Sequence, residues 1–256
     1  MHPHERNGTK WLGLLLGGLL FSAGCATRGP NHVYLTTATG PAIHDLGPSP
    51  ARITDAVKSG EQALGLAYDF NTDHLFVRIT PAQVIRVIER PSGKILREMA
   101  LPVALQATAS ADLAIRSSDR HLFAVHPDGR SVVELTLYGA TIRRIGLTGL
   151  AGPVLGLAYD QRGDRLLILS ASENGVQVGG FNPEGNVTYY VTLAAPVSPV
   201  SLGYDSDAQH YFVPLAGGVS LGQFDSGGNL IATHQTDGTQ AITAIDAGPR
   251  SLVRVF

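Results

Sequence analysis

Three carboxylates stand close to where a recurring strand begins: Glu61, Asp112 and Asp237. Two carboxyl groups roughly 5 to 9.5 Å apart can hydrolyse a glycosidic bond, one as acid and the other as nucleophile or base. Arg52, Arg130 and Glu173 come from neighbouring loops and could complete such a site. The simpler reading is that these are solvated loop charges. It is preferred, because loop carboxylates are common and an architecture alone does not imply chemistry. Histidines raise a second possibility, metal binding: His74, His121 and His210 begin equivalent strands, while His44 and His126 have no clustered partner in the sequence. Cys25 is the only cysteine, so the chain cannot close a disulfide on itself.

The elements that position these residues repeat. LGLAYD from Leu64, DLAI followed by Arg116, LGLAYD from Leu155, SLGYD from Ser201 and ITAID from Ile242 align without a gap. Their shared small residue is Ala67, Ala114, Ala158, Gly203 and Ala244, at spacings of 47, 44, 45 and 41 residues. Such a period marks a repeated supersecondary unit that buries its faces only by stacking on its neighbours. A second strand follows each copy after a four-residue step: HLFV from His74, HLFAV from His121, RLLIL from Arg165, HYFV from His210 and SLVRV from Ser251. Asp69, Asp160, Asp205 and Asp246 open the step, with Arg116 as the exception; Asp there suits a turn, where its carboxylate accepts nearby backbone N–H groups. Outer hairpins are legible from Pro91-Ser92-Gly93-Lys94, Tyr138-Gly139-Ala140, Pro183-Glu184-Gly185-Asn186 and Ser226-Gly227-Gly228-Asn229.

The predicted fold is all-β: a five-bladed β-propeller over residues 32–256, closed by N-terminal outer strands pairing with C-terminal inner strands. The expected closure is two plus two, with His32–Thr37 and Ala42–Leu46 as the outer hairpin and ITAID and SLVRV as the inner pair. Residues 48–63 read as one long inter-blade loop. The small residue has a packing reason, since inner strands crowd the axis. A ring also keeps the three strand-start histidines apart. Zinc needs its ligands about 2.0 to 2.1 Å from one ion, so no metal site is expected from them.

Residues 1–24 carry Arg6 and Lys10, then an apolar run from Trp11 to Phe21, then Ser22-Ala23-Gly24 before Cys25. Eleven apolar residues are too few for a bilayer, which needs about 20, so the segment reads as a cleaved signal. Its end resembles the lipobox of bacterial lipoproteins. That resemblance implies lipidation of Cys25, a linker over 25–31 and, with Ala26 next, the periplasmic side of the outer membrane. Without residues 1–24 the chain keeps 17 basic and 20 acidic residues, which gives no electrostatic footprint for nucleic acid. Aromatic residues make up 7% of the chain, the single tryptophan lies inside the signal, and no stretch has dinucleotide-loop, P-loop or zinc spacing, so no cofactor is expected. Asn186-Val187-Thr188 matches a glycosylation acceptor by chance.

LGLAYDFNTDHLFV, from Leu64 to Val77, followed by a glycine-turn hairpin, resembles the bacterial NHL and YVTN type of propeller repeat. The resemblance spans nearly all of 32–256. It implies a non-catalytic scaffold in the cell envelope that binds a protein or other ligand, with the membrane reached through Cys25 and an envelope protein as partner. Gluconolactonase-like propellers look similar, but their metal-binding Glu, Asn and Asp set is replaced by mostly Gly, Ala, Leu and Ser on these inner strands. A propeller enzyme of lactonase or glycosidase type, using Glu61, Asp112 and Asp237, is the alternative. The expected binding face holds Arg52, His126, Asp128, Arg130, Glu173 and Asn174. With both termini placed on that face by the two-plus-two closure, it would lie against the membrane.

Overall fold

The computed structural model describes residues 28–106, 110–236 and 239–251. Three strands come first: β1 (Arg28–Thr37), β2 (Ile43–Asp45) and β3 (Ala51–Ile53). Blade I then holds β4 (Gln62–Asp69), β5 (His74–Thr80), β6 (Val84–Glu89) and β7 (Lys94–Ala100). Blade II holds β8 (Leu113–Arg116), β9 (His121–Val125), β10 (Ser131–Leu135) and β11 (Thr141–Gly146). Blade III holds β12 (Val154–Asp160), β13 (Arg165–Ser172), β14 (Gly175–Phe181) and β15 (Val187–Thr192). In blade IV the strands are β16 (Gly203–Asp205), β17 (His210–Pro214), β18 (Ser220–Phe224) and β19 (Leu230–Gln235). Finally β20 (Ile242–Ser251) joins the three N-terminal strands in the order β20-β1-β2-β3, which makes blade V. Each sheet is a four-stranded antiparallel meander, and the molecule is a five-bladed β-propeller.

Closure is therefore one plus three, where the sequence pattern suggested two plus two. β1 takes the second place in its blade, paired with β20 from Thr37↔Ile242 through Tyr34↔Asp246 to Arg28↔Ser251. The reason is burial. A second strand is covered on both faces, and in β1 Tyr34, Leu35 and Thr36 are all fully buried, whereas outermost strands such as β11 and β19 are largely exposed. The expected second strand SLVRV has only Ser251 within the described residues. Residues 48–63, read as a loop, contain β3 and the first two residues of β4.

One consequence concerns orientation. Since β1 is a second strand, Arg28 and Ser251 emerge where inner strands turn into second strands, on the face of the Asp steps. The terminus thus leaves from the face opposite to the one expected; the face of the turns between second and third strands, called the hairpin-turn face below, points the other way, while the outer glycine hairpins turn on the Asp-step face.

The core lies between blades. Tyr34, Ile43 and Ala244 of blade V pack with Leu66, Leu75 and Val77 of blade I, and similar clusters fill the other seams. Small residues on the inner strands admit this approach. A Cβ on Gly203 would lie 2.7 Å from Ile245 Cγ2, and one on Gly65 only 2.1 Å from the Ala111 carbonyl oxygen, inside any tolerable contact. The Asp steps are turns as expected: Asp69, Asp160 and Asp205 each accept the N–H two residues on, from Asn71, Arg162 and Asp207 at 3.1, 3.1 and 2.8 Å. The fourth residue of each step, Asp73, Arg120, Asp164 and Gln209, takes a left-handed φ of 59°, 61°, 47° and 58°.

Candidate functional site

Two of the three candidate carboxylates have structural partners. Glu61 receives Arg86 through Nη1 at 2.7 Å and Nη2 at 3.0 Å, while Arg86 also meets Glu98 at 2.6 Å and donates to the Ala56 carbonyl at 2.8 Å. Arg86 is 0% exposed, and its guanidinium holds the Glu61 carboxyl below the usual range. Glu61 is the lock of an ion-pair cluster under the loop between β3 and β4, not a free acid at the axial mouth.

Asp112 is fully buried directly ahead of β8. Its Oδ2 accepts the Leu157 N–H at 2.9 Å, the Leu202 N–H at 3.0 Å and the Ser201 hydroxyl at 3.0 Å, and Ser201 Oγ in turn accepts the Ile245 N–H at 2.9 Å. One carboxyl therefore ties blade II to III and IV, and Ser201 extends the tie to V. Burial pushes its pKa well above the carboxylate range, although the three donors oppose this. Asp237 lies outside the described residues.

The strand-start histidines sit on separate blades, as a ring requires. His210 Nδ1 is 2.9 Å from Gln223, and burial pushes His74 down. His121 does have acidic neighbours: its donor atom and those of Asp119 and Glu134 lie within 4.8 Å of one another. The chain supplies the cation itself. Arg116 Nη2 lies 2.5 Å from Asp119 and 2.5 Å from Glu134 Oε1, and the guanidinium lies over Phe123 at 5.2 Å. This explains the odd residue of the repeat, because Arg116 stands where other blades have Asp and its neighbours are acidic to match.

The hairpin-turn face carries the remaining candidates. Asp128 organises the turn between β9 and β10, accepting the N–H groups of Arg130 at 2.9 Å and Ser131 at 3.1 Å, with Arg144 as ion-pair partner and His126 Nδ1 at 3.1 Å. Burial pulls its carboxyl up, but these hydrogen bonds and Arg144 prevail and hold it far below the ordinary value. Asp128 and His126 are thus a turn scaffold, and Arg130 projects from it, exposed. In blade III, Glu173 and Asn174 are exposed in the turn between β13 and β14, where Ser172 Oγ receives the Asn174 N–H at 3.2 Å. The two turns are neighbours. Gly129 and Arg130 carbonyls accept the N–H groups of Val154 at 2.9 Å and Leu147 at 3.0 Å, at the two ends of the segment crossing from blade II to III.

Arg52 is not part of this group. It lies on β3, the outermost strand of blade V, opposite His44, beside a cleft that Gln235 at the end of β19 and Thr236 of the blade IV–V link also line. Of the candidates, Arg130, Glu173 and Asn174 are thus the exposed polar residues of this face that the turns present, with Asp128, His126 and Ser172 fixing those turns.

No family model matches the chain, and no curated protein does. Among solved structures, a chain of a nidogen/laminin complex superposes with a TM-score of 0.58 at 13% identity, covering 88% of this chain and 100% of that one. Virginiamycin B lyase from Staphylococcus aureus in its inactive H270A form with quinupristin gives 0.49 at 16% identity, covering 80% and 67%. Myxococcus xanthus glutaminyl cyclase gives 0.49 at 16% identity, covering 67% and 69%. Identities this low bear on the fold alone, and the set includes both binding proteins and enzymes.

Proposed function

We propose that this chain is a lipid-anchored propeller of the cell envelope, on the periplasmic side of the outer membrane, acting as a non-catalytic scaffold that binds an envelope protein through its hairpin-turn face. The observation that carries the reading is the division of labour among polar side chains. Glu61 and Asp112 serve the fold, while Arg130, Glu173 and Asn174 are exposed on turns whose geometry is fixed from beneath. Preorganised polar groups on rigid turns suit recognition, because little ordering is needed on binding.

The lipobox resemblance at Ser22-Ala23-Gly24-Cys25 supports the anchor. Cys25 is three residues from Arg28, a span of no more than about 11 Å. The Asp-step face, from which β1 starts, then lies against the membrane and the hairpin-turn face looks away from it, free to meet a partner. Labelled palmitate tests the anchor. Incorporation into the wild-type chain, lost in Cys25→Ser, is expected; incorporation in neither would remove the lipoprotein reading. Arg130→Glu with Glu173→Lys tests the face, and an unaltered partner complex would contradict it.

A further inference from the structure

The axis opens at the Asp-step face into a small mouth to which every blade contributes. The residues one past the step-opening position form a chain there: Gln161 accepts the Ser117 N–H through Oε1 at 2.9 Å, and Ser206 Oγ accepts the Gln161 N–H at 2.9 Å. Asp246 comes from blade V and accepts the Tyr68 N–H at 2.6 Å and the Ala247 N–H at 2.9 Å. These residues line a cavity of about 20 Å3, which holds one water-sized particle.

Two groups of this mouth keep open hydrogen-bonding or charge capacity, although Asp246 also ties blade V to blade I through the Tyr68 N–H. The Ser117 hydroxyl, on a residue 5% exposed, has no hydrogen-bond partner among the described residues. The Asp246 carboxyl, on a residue 9% exposed, has two backbone donors and, among the described residues, no basic side chain in an ion pair with it. Two other buried acids differ: Asp73 has Arg90 at 2.5 Å and Glu134 has Arg116 at 2.5 Å. Buried carboxylates are paired, coordinated to metal, or protonated. Asp207 lines the same cavity but is engaged by Arg162 at 2.9 Å, and Asp112, which does not line it, has no ion pair among the described residues.

The geometry points to a binding site for one hard metal cation at this mouth, with the Asp246 carboxylate and the Ser117 hydroxyl as its first ligands. Gln161 and Ser206 oxygens stand beside them, and an all-oxygen donor set selects calcium, magnesium or sodium over softer metals.

The test is thermal unfolding and isothermal titration of the full-length protein in detergent at pH 8, after chelation, with CaCl2, MgCl2 or NaCl added at matched ionic strength. At a hundredfold excess over Kd, at least one cation should raise Tm by about 5 °C or more. The shift should vanish in Asp246→Asn, whose amide oxygen still accepts the Tyr68 N–H, and the affinity should fall about tenfold in Ser117→Ala. Ser117→Ala removes a hydroxyl with no partner among the described residues, so it leaves the metal-free Tm unchanged if the hydroxyl serves only the ligand. No shift with any of the three salts would overturn the proposal, as would a shift of equal size in both variants.

Discussion

Replacing Asp112 separates a structural acid from a catalytic one. Its Oδ2 is the shared acceptor of Leu157 N–H, Leu202 N–H and Ser201 Oγ–H, at 2.9 to 3.0 Å, with the residue 0% exposed. Asp112→Ala leaves three buried donors without an acceptor. Each such orphan costs about 1 to 3 kcal/mol, and partial relaxation brings the total to roughly 3 to 5 kcal/mol. Asp112→Asn keeps an acceptor oxygen of the same reach and should cost under about 1 kcal/mol near pH 5. The pH dependence has a definite sign. Folding raises this pKa, so the folded state holds the proton longer than the unfolded one, and the contribution is complete below about pH 4 and lost as pH rises toward the folded value. Wild type should therefore lose stability relative to Asp112→Asn as pH rises above the unfolded value of about 4. Urea unfolding followed by circular dichroism at several pH values reads both effects. A cost below about 1 kcal/mol for Asp112→Ala, or Ala and Asn variants of equal stability, would refute the reasoning.

Other expectations follow from the same contacts. Arg86→Ala leaves Glu61 and Glu98 without the guanidinium between them and should cost about 3 to 5 kcal/mol, whereas Glu61→Gln, which still accepts from Arg86, should cost far less; denaturant midpoints compare them. Gly65→Ala drives a Cβ to 2.1 Å from the Ala111 carbonyl oxygen and should cost about 1 to 3 kcal/mol or more by the same assay. Gln209 is exposed with a φ of 58°, so Gln209→Gly should leave Tm equal or raise it, while Gln209→Val should lower it by several degrees in a calorimetric scan.

The blades were legible because each inner strand, Asp step and glycine hairpin occurs in register, so one misread copy is corrected by four others. Blade V has no such protection, since its strands come from both ends of the chain. The stretch in register with HLFV and HYFV there is Tyr34-Leu35-Thr36-Thr37, which does not repeat them, and the similar-looking His32-Val33-Tyr34-Leu35 lies two residues out of register. SLVRV at the other end offered a competing match for the same place. β3 was hidden because three residues, Ala51–Ile53, are too short to display a period of two. Among site residues, the exposed Arg130, Glu173 and Asn174 followed directly from turn positions. Asp112 left a fainter signal. Two residues before the shared small position the blades have Gly65, Asp112, Gly156, Ser201 and Ile242, so the lone Asp sits where its neighbours have Gly or Ser. Arg86 had none, because an inward Arg on β6 becomes intelligible only once Glu61 and Glu98, 25 and 12 residues away, are seen to enclose it.

The central claim is that the hairpin-turn face is the working surface and looks away from the membrane. Site-specific photocrosslinking in intact cells tests it, with the reactive group placed at Arg130 or Glu173 on that face and, separately, at Arg162 on the Asp-step face, where the side chain is 59% exposed. A discrete envelope-protein adduct from Arg130 and Glu173, diminished in Cys25→Ser, with lipid adducts instead from Arg162, is the predicted result. A protein adduct from Arg162 alone, or none from the hairpin-turn positions, would contradict the account.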